Sequence, residues 1–152
     1  MAIEAPLSKY KKNNFKIGIV VLVGLAIWFA YDGYRNETFI KKHTDQNGAP
    51  DSTLVFNRKT PLYLAGAAVL LGVYLFAIKD KKVVADESSL IVDKRQIAYD
   101  SIEKIDKTHF DSKGYFVITY KDCLGADTSL TLSDRIYDNL SAVMDELVAK
   151  IS

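Results

Sequence analysis

Two histidines, one cysteine and a few adjacent carboxylates are the side chains here whose types suggest chemistry, and their spacing does not assemble them. His43 and His109 lie on opposite sides of a long apolar run. If that run crosses a bilayer, the two cannot share a metal. Cys123 has no CxxC partner, and as the single cysteine it can close no intramolecular disulfide. Asp86-Glu87 and Asp145-Glu146 are neighbouring carboxylates of the kind that line solvated surfaces. No G-x-S-x-G elbow occurs, and the 8 glycines never form G-x-x-x-x-G-K. The expectation is a chain with no catalytic residue, no cofactor and no metal site.

The lysines carry a different chemistry. Lys9, Lys11 and Lys12 precede the first apolar run, and Lys79, Lys81 and Lys82 follow the second. Brought to one leaflet they form a basic rim, each lysine gaining about 1 kcal/mol beside anionic headgroups. The plainer reading is that they only set topology. A net charge of +1, from 20 Lys+Arg against 19 Asp+Glu, argues against nucleic acid as a partner.

The elements that position these lysines are the two apolar runs. IGIVVLVGLAIWFAY (Ile17 to Tyr31) and LYLAGAAVLLGVYLFAI (Leu62 to Ile78) hold no charge. Helices of that length reach roughly 25 Å, and flanking aromatics and lysines make up the roughly 30 Å of a hydrocarbon core. A core helix of a soluble domain is the alternative, but a helix apolar all round needs more covering layer than this chain can build. A cleaved signal peptide is the alternative for the first run, and Trp28-Phe29-Ala30 lacks a small-x-small cleavage pattern. Ala26 and Ala30, and Ala68 and Gly72, place small residues at a spacing of four for close helix approach. The resulting organisation is a basic N-terminus (1–14), a first transmembrane helix (15–34), a connector (35–60), a second transmembrane helix (61–79) and a tail domain (80–152). Pro61 falls in the first turn of the second helix, NETFIKKH reads as a continuation of the first, and TLVFN reads as extended. The basic flanks favour both termini in the cytoplasm.

In the tail the texture changes to short β-type runs. VVADE, SLIVD, RQIAY, IEKID, YFVITYK and SLTL are separated by polar pairs and by turns at Gly114 and Gly125. From Ile136 the period becomes helical: Ile136, Leu140, Val143, Met144, Leu147 and Ile151 share one face, with Ser133 or Asp134 as N-cap. About five strands and one amphipathic helix result.

The segment IAYDSIEKID, flanked by SLIVD and by TLSDRIYDNLSAVMDELVAKI, resembles the small bacterial pleckstrin-homology-like (PH-like) domains over residues 83–152. The tail is short for a full seven-stranded member. The resemblance implies an α+β protein, a two-helix transmembrane hairpin followed by a small antiparallel PH-like sheet with a C-terminal amphipathic helix. It also implies a binding or assembly module in a bacterial inner (cytoplasmic) membrane, with membrane lipids and either a protein partner or another copy as its contacts. A strand edge at Tyr115, Val117, Thr119 and Lys121, or at SLTL, is the expected partner surface. The alternatives are a sensor of anionic lipid or envelope stress, and an accessory subunit of a larger membrane complex.

Overall fold

The computed structural model describes residues 2–152, which fall into two compact units. One comprises residues 13–77. The other joins the first twelve residues to residues 78–152.

The first unit is a helical hairpin. Helix α1 (Lys9–Tyr34) enters it, α2 (Glu37–Lys42) is one short turn of connector, and α3 (Ser52–Ile78) returns. Both long helices are long and apolar enough to cross a membrane. Only 6% and 11% of their apolar windows are buried, which does not fit the core helix of a soluble domain. Leu62, Tyr63, Val69, Leu70 and Phe76 on α3 stand 64–77% exposed, with Val20, Ile27 and Trp28 on α1 nearly as bare. Such a surface is what lipid covers.

The buried Leu54, Asn57 and Ala68 and the half-buried Pro61, Leu64, Leu71 and Leu75 share one face of α3. These alternating steps of three and four make a seam for a partner helix. That partner is α1: Phe29 meets Phe56 with ring centroids 5.8 Å apart, and Phe15 meets Tyr74 at 5.3 Å. Of the small residues expected to mediate close approach, Ala26 and Ala68 are buried while Ala30 and Gly72 are half-buried. The tightest approach is at Gly33. A Cβ there would sit 3.1 Å from the backbone C and O of Asn57. Asn57 lies four residues before Pro61, whose missing N–H leaves the Asn57 carbonyl without its helical donor.

Three expectations for the connector are corrected. The second helix starts at Ser52, so Pro61 lies inside it and TLVFN is helical. The chain breaks helix at Arg35–Asn36, and α2 restarts with the Asn36 side chain accepting from the Phe39 N–H. The connector is folded: Thr44 bridges Pro50, and His43 Nδ1 lies 2.7 Å from the Asp51 carboxylate.

The second unit contains seven strands and a terminal helix. A four-stranded antiparallel sheet has the order β1 (Ile3–Pro6), β2 (Lys82–Ala85), β3 (Ser89–Val92), β4 (Arg95–Ala98). A three-stranded sheet has the order β5 (Ile102–Asp106), β6 (Tyr115–Lys121), β7 (Asp127–Ser133). Between β5 and β6 a four-residue helix, α4 (Phe110–Lys113), ends at Gly114, whose φ of +70° only glycine takes without strain. Helix α5 (Leu140–Ile151) buries Leu140, Val143 and Leu147 in the core. It starts later than the sequence pattern suggested. Neither Ser133 nor Asp134 caps it; Ser133 instead accepts backbone bonds from Ile136 and Tyr137 in a turn.

The basic N-terminus proves not to be a separate tail. Residues Ile3, Glu4, Ala5 and Pro6 pair with Ala85, Val84, Val83 and Lys82. Ala5 is fully buried in the core with Val83, Leu90, Phe116, Ile118 and Leu147. The tail holds six strands where about five were expected, and a seventh is supplied from before the first helix. This also argues against a cleaved leader, since cleavage would remove a core residue.

Candidate functional site

The basic rim divides into two groups. Lys82 pairs with Glu4 at 2.6 Å and Lys81 with Asp93 at 3.1 Å, while Lys79 reaches Asp80 at 4.0 Å. Lys82 braces β1 against β2, and Lys81 reaches the turn between β3 and β4. Lys9, Lys11 and Lys12 lie on the first turn of α1 and make no ion pair among the described residues. The Lys9 backbone N–H donates to Asp138 within the same compact unit. The half of the rim left to meet an anion is therefore the N-terminal half.

The expected partner surface on β6 is corrected. β6 is the central strand of its sheet, hydrogen-bonded to β5 on one side and β7 on the other. Val117 lies between Asp106 and Thr131, and Thr119 between Lys104 and Ser129. Tyr115 pairs with Ser133, and Lys121 pairs with Asp127 and holds Glu103 at 3.3 Å. Val117 and Thr119 are paired on both sides and present no backbone edge, while Tyr115 and Lys121, at the strand ends, are paired with β7 alone. SLTL, in contrast, belongs to β7, which is an outer strand.

Four strands end a sheet: β1, β4, β5 and β7. The outer side of β1 is closed by the segment after β7. Asp138 N–H donates to Pro6 O at 2.9 Å, Ser8 N–H to Ile136 O at 2.7 Å, and Leu7 bridges Tyr137. Tyr137 anchors this closure. Its hydroxyl lies 3.3 Å from Asp93, and burial, then the Asp93 charge, push its pKa up to about 12. The outer side of β4 opens onto a cavity of about 390 Å³ that also touches Tyr120, Lys121, Cys123 and Thr128. β5 carries a bulge between Ile102 and Lys104. β7 pairs with β6 over all seven residues without interruption.

The titratable residues singled out from sequence stay apart. His109 packs on the Tyr115 ring at 5.4 Å, His43 belongs to the helical hairpin, and Cys123 is exposed. Among the described residues no three His, Cys, Asp or Glu side chains group as metal ligands. Comparisons with protein-family models, curated proteins and solved structures return no match. The signal that sequence reasoning passed over is the polar composition of DTSLTLS. An outer strand tolerates polar residues on both faces, whereas the apolar YFVITYK suits a centre strand.

Proposed function

We propose that this chain is a two-span protein of the bacterial cytoplasmic membrane whose soluble unit is a PH-like, non-enzymatic module for protein binding or assembly at the membrane surface. The observation that carries the reading is the pairing of β1 with β2. One strand precedes the first long helix and its partner follows the second, so a hairpin that crosses the bilayer twice returns to the side it left. The module is then held to one face of the membrane by both of its ends. Four strands, three strands and a C-terminal helix around a shared core also fit a complete PH-like unit better than the truncated one read from residues 83–152. The basic flanks put that face in the cytoplasm.

Purification of the tagged full-length protein from its native membrane in mild detergent, with mass spectrometry of what stays bound, tests this. A protein retained at stoichiometric amounts supports it. Retention of lipid alone turns the weight to the second reading, a sensor of anionic lipid, which the unpaired Lys9, Lys11 and Lys12 favour. Migration as one small component of a much larger assembly identifies the accessory-subunit alternative.

A further inference from the structure

Among the open strand ends, β7 differs in kind. Natural sheets blunt their edges with short strands, bulges or charge. β4 has only four residues and begins with Arg95. β5 has its bulge, and Glu103, Lys104 and Asp106 lie along it. A second β5 set against it about a two-fold axis would place Lys104 against Lys104. β7 is neither short nor bulged, and no charge lies along its middle. It is seven residues long and regular, and its only charge is Asp127 at one end.

We propose, resting on the assembly reading above, that the partner of β7 is a second copy of this chain, joined edge to edge by antiparallel β7–β7 pairing. A two-fold axis through Leu130 sets Asp127 against Ser133, Thr128 against Leu132 and Ser129 against Thr131. No like charges meet. Ser129 and Thr131 are exposed on the outer face, so their hydroxyls form two cross-strand Ser–Thr pairs. On the inner face the half-buried Leu130 side chains meet at the axis, next to the buried Leu132. Two three-stranded sheets become one of six strands. A seven-residue edge buries less than the roughly 1,200 Å² of a stable free dimer. Confinement of both copies to one membrane supplies the missing effective concentration. An isologous contact of this kind closes at two copies and does not propagate.

The test uses the full-length chain, labelled at its exposed C-terminus with donor or acceptor fluorophore and reconstituted into phosphatidylcholine–phosphatidylglycerol vesicles. Energy transfer is followed as the protein-to-lipid ratio is varied, with far-ultraviolet circular dichroism checking that the sheet is intact. The wild type is expected to show transfer above that of a non-interacting two-span control. The Ser129→Lys/Thr131→Lys variant, which sets lysine against lysine twice at exposed positions, is expected to need at least about a tenfold higher surface density. In a Cys123→Ser background, copies carrying Ser129→Cys are expected to cross-link to copies carrying Thr131→Cys in preference to themselves. No transfer above the control, or transfer unaffected by the double lysine, overturns the proposal. If self-association is absent but a different protein co-purifies and is lost with the double lysine, self-pairing fails while the assembly reading stands. If neither is found, both fail.

Discussion

Ala5 offers a direct way to ask whether the N-terminus belongs to the soluble unit. Its side chain is fully buried, flanked by the exposed Glu4 and Pro6. In Ala5→Asp a carboxylate enters an apolar core whose nearest strand partner is Val83. Burial of this kind raises a carboxyl pKa by up to 3–5 units, and from an unfolded value of about 3.9 this costs about 4 kcal/mol at pH 7. Added bulk contributes about 1–3 kcal/mol more. The total is comparable to the whole stability of about 5–15 kcal/mol expected of a small domain. Because the folded pKa is raised to about 7–9, the penalty grows with pH up to that value and shrinks as the pH falls toward the unfolded value of about 3.9. The assay is urea unfolding of a soluble version in which residues 13–77 are replaced by a short Gly-Ser linker, a connection the Pro6–Lys82 pairing makes short. Ala5→Asp should lower the midpoint by about 2 M or more at pH 7, with partial recovery near pH 4.5. Glu4→Gln, which loses only a half-exposed ion pair to Lys82, should cost under about 1 kcal/mol. Equal and negligible effects of both substitutions would show that residues 3–6 are a tail and refute the fold argument.

Gly33→Ala drives a methyl to 3.1 Å from the Asn57 backbone, which cannot swing aside as a side-chain end would. We expect a cost of about 1–3 kcal/mol to hairpin packing, seen as loss of energy transfer between labels at the two helix ends in nanodiscs. Tyr137 should remain un-ionised to about pH 12. An acid whose folded pKa is raised favours unfolding once the unfolded group ionises, so stability should fall as pH rises from about 10 toward 12. Difference absorbance titration of Tyr137→Phe against wild type checks this. Replacing Lys11 and Lys12 with Gln should reduce retention of anionic lipid in native mass spectrometry. Lys81→Gln/Lys82→Gln should not, since those lysines face Asp93 and Glu4.

The two long helices were legible because charge-free runs of that length have few other uses. The face of α5 was legible at Leu140, Val143 and Leu147, where the period of 3.6 holds. Ile136 shares that period by chance of spacing and lies in the turn that closes β1. Strand β1 was not legible. IEAP is only four residues with a charge and a proline, and its stability comes from a partner far along the chain. The early start of α3 was hidden by Thr53, Val55 and Phe56, β-type residues that helix packing against α1 overrides. The candidate surface was half legible. The β-rich tail announced an edge somewhere, but which strand lies outermost depends on sheet order, and YFVITYK drew attention because its apolar character suits the centre.

The insertion of the helical hairpin between β1 and β2 also bears on how the protein is made. β1 leaves the ribosome well before β2 and stays without that strand partner until Lys82–Ala85 emerges, roughly 4–15 s later at ordinary rates of synthesis. During that interval both long helices must be placed, and placed so that the chain returns to its starting side. A hairpin threaded with one crossing too few would leave β1 and β2 in different compartments, and Ala5, Val83 and Leu90 without their shared core. If the two helices cross a membrane, closure of the first sheet would thus depend on both being threaded correctly.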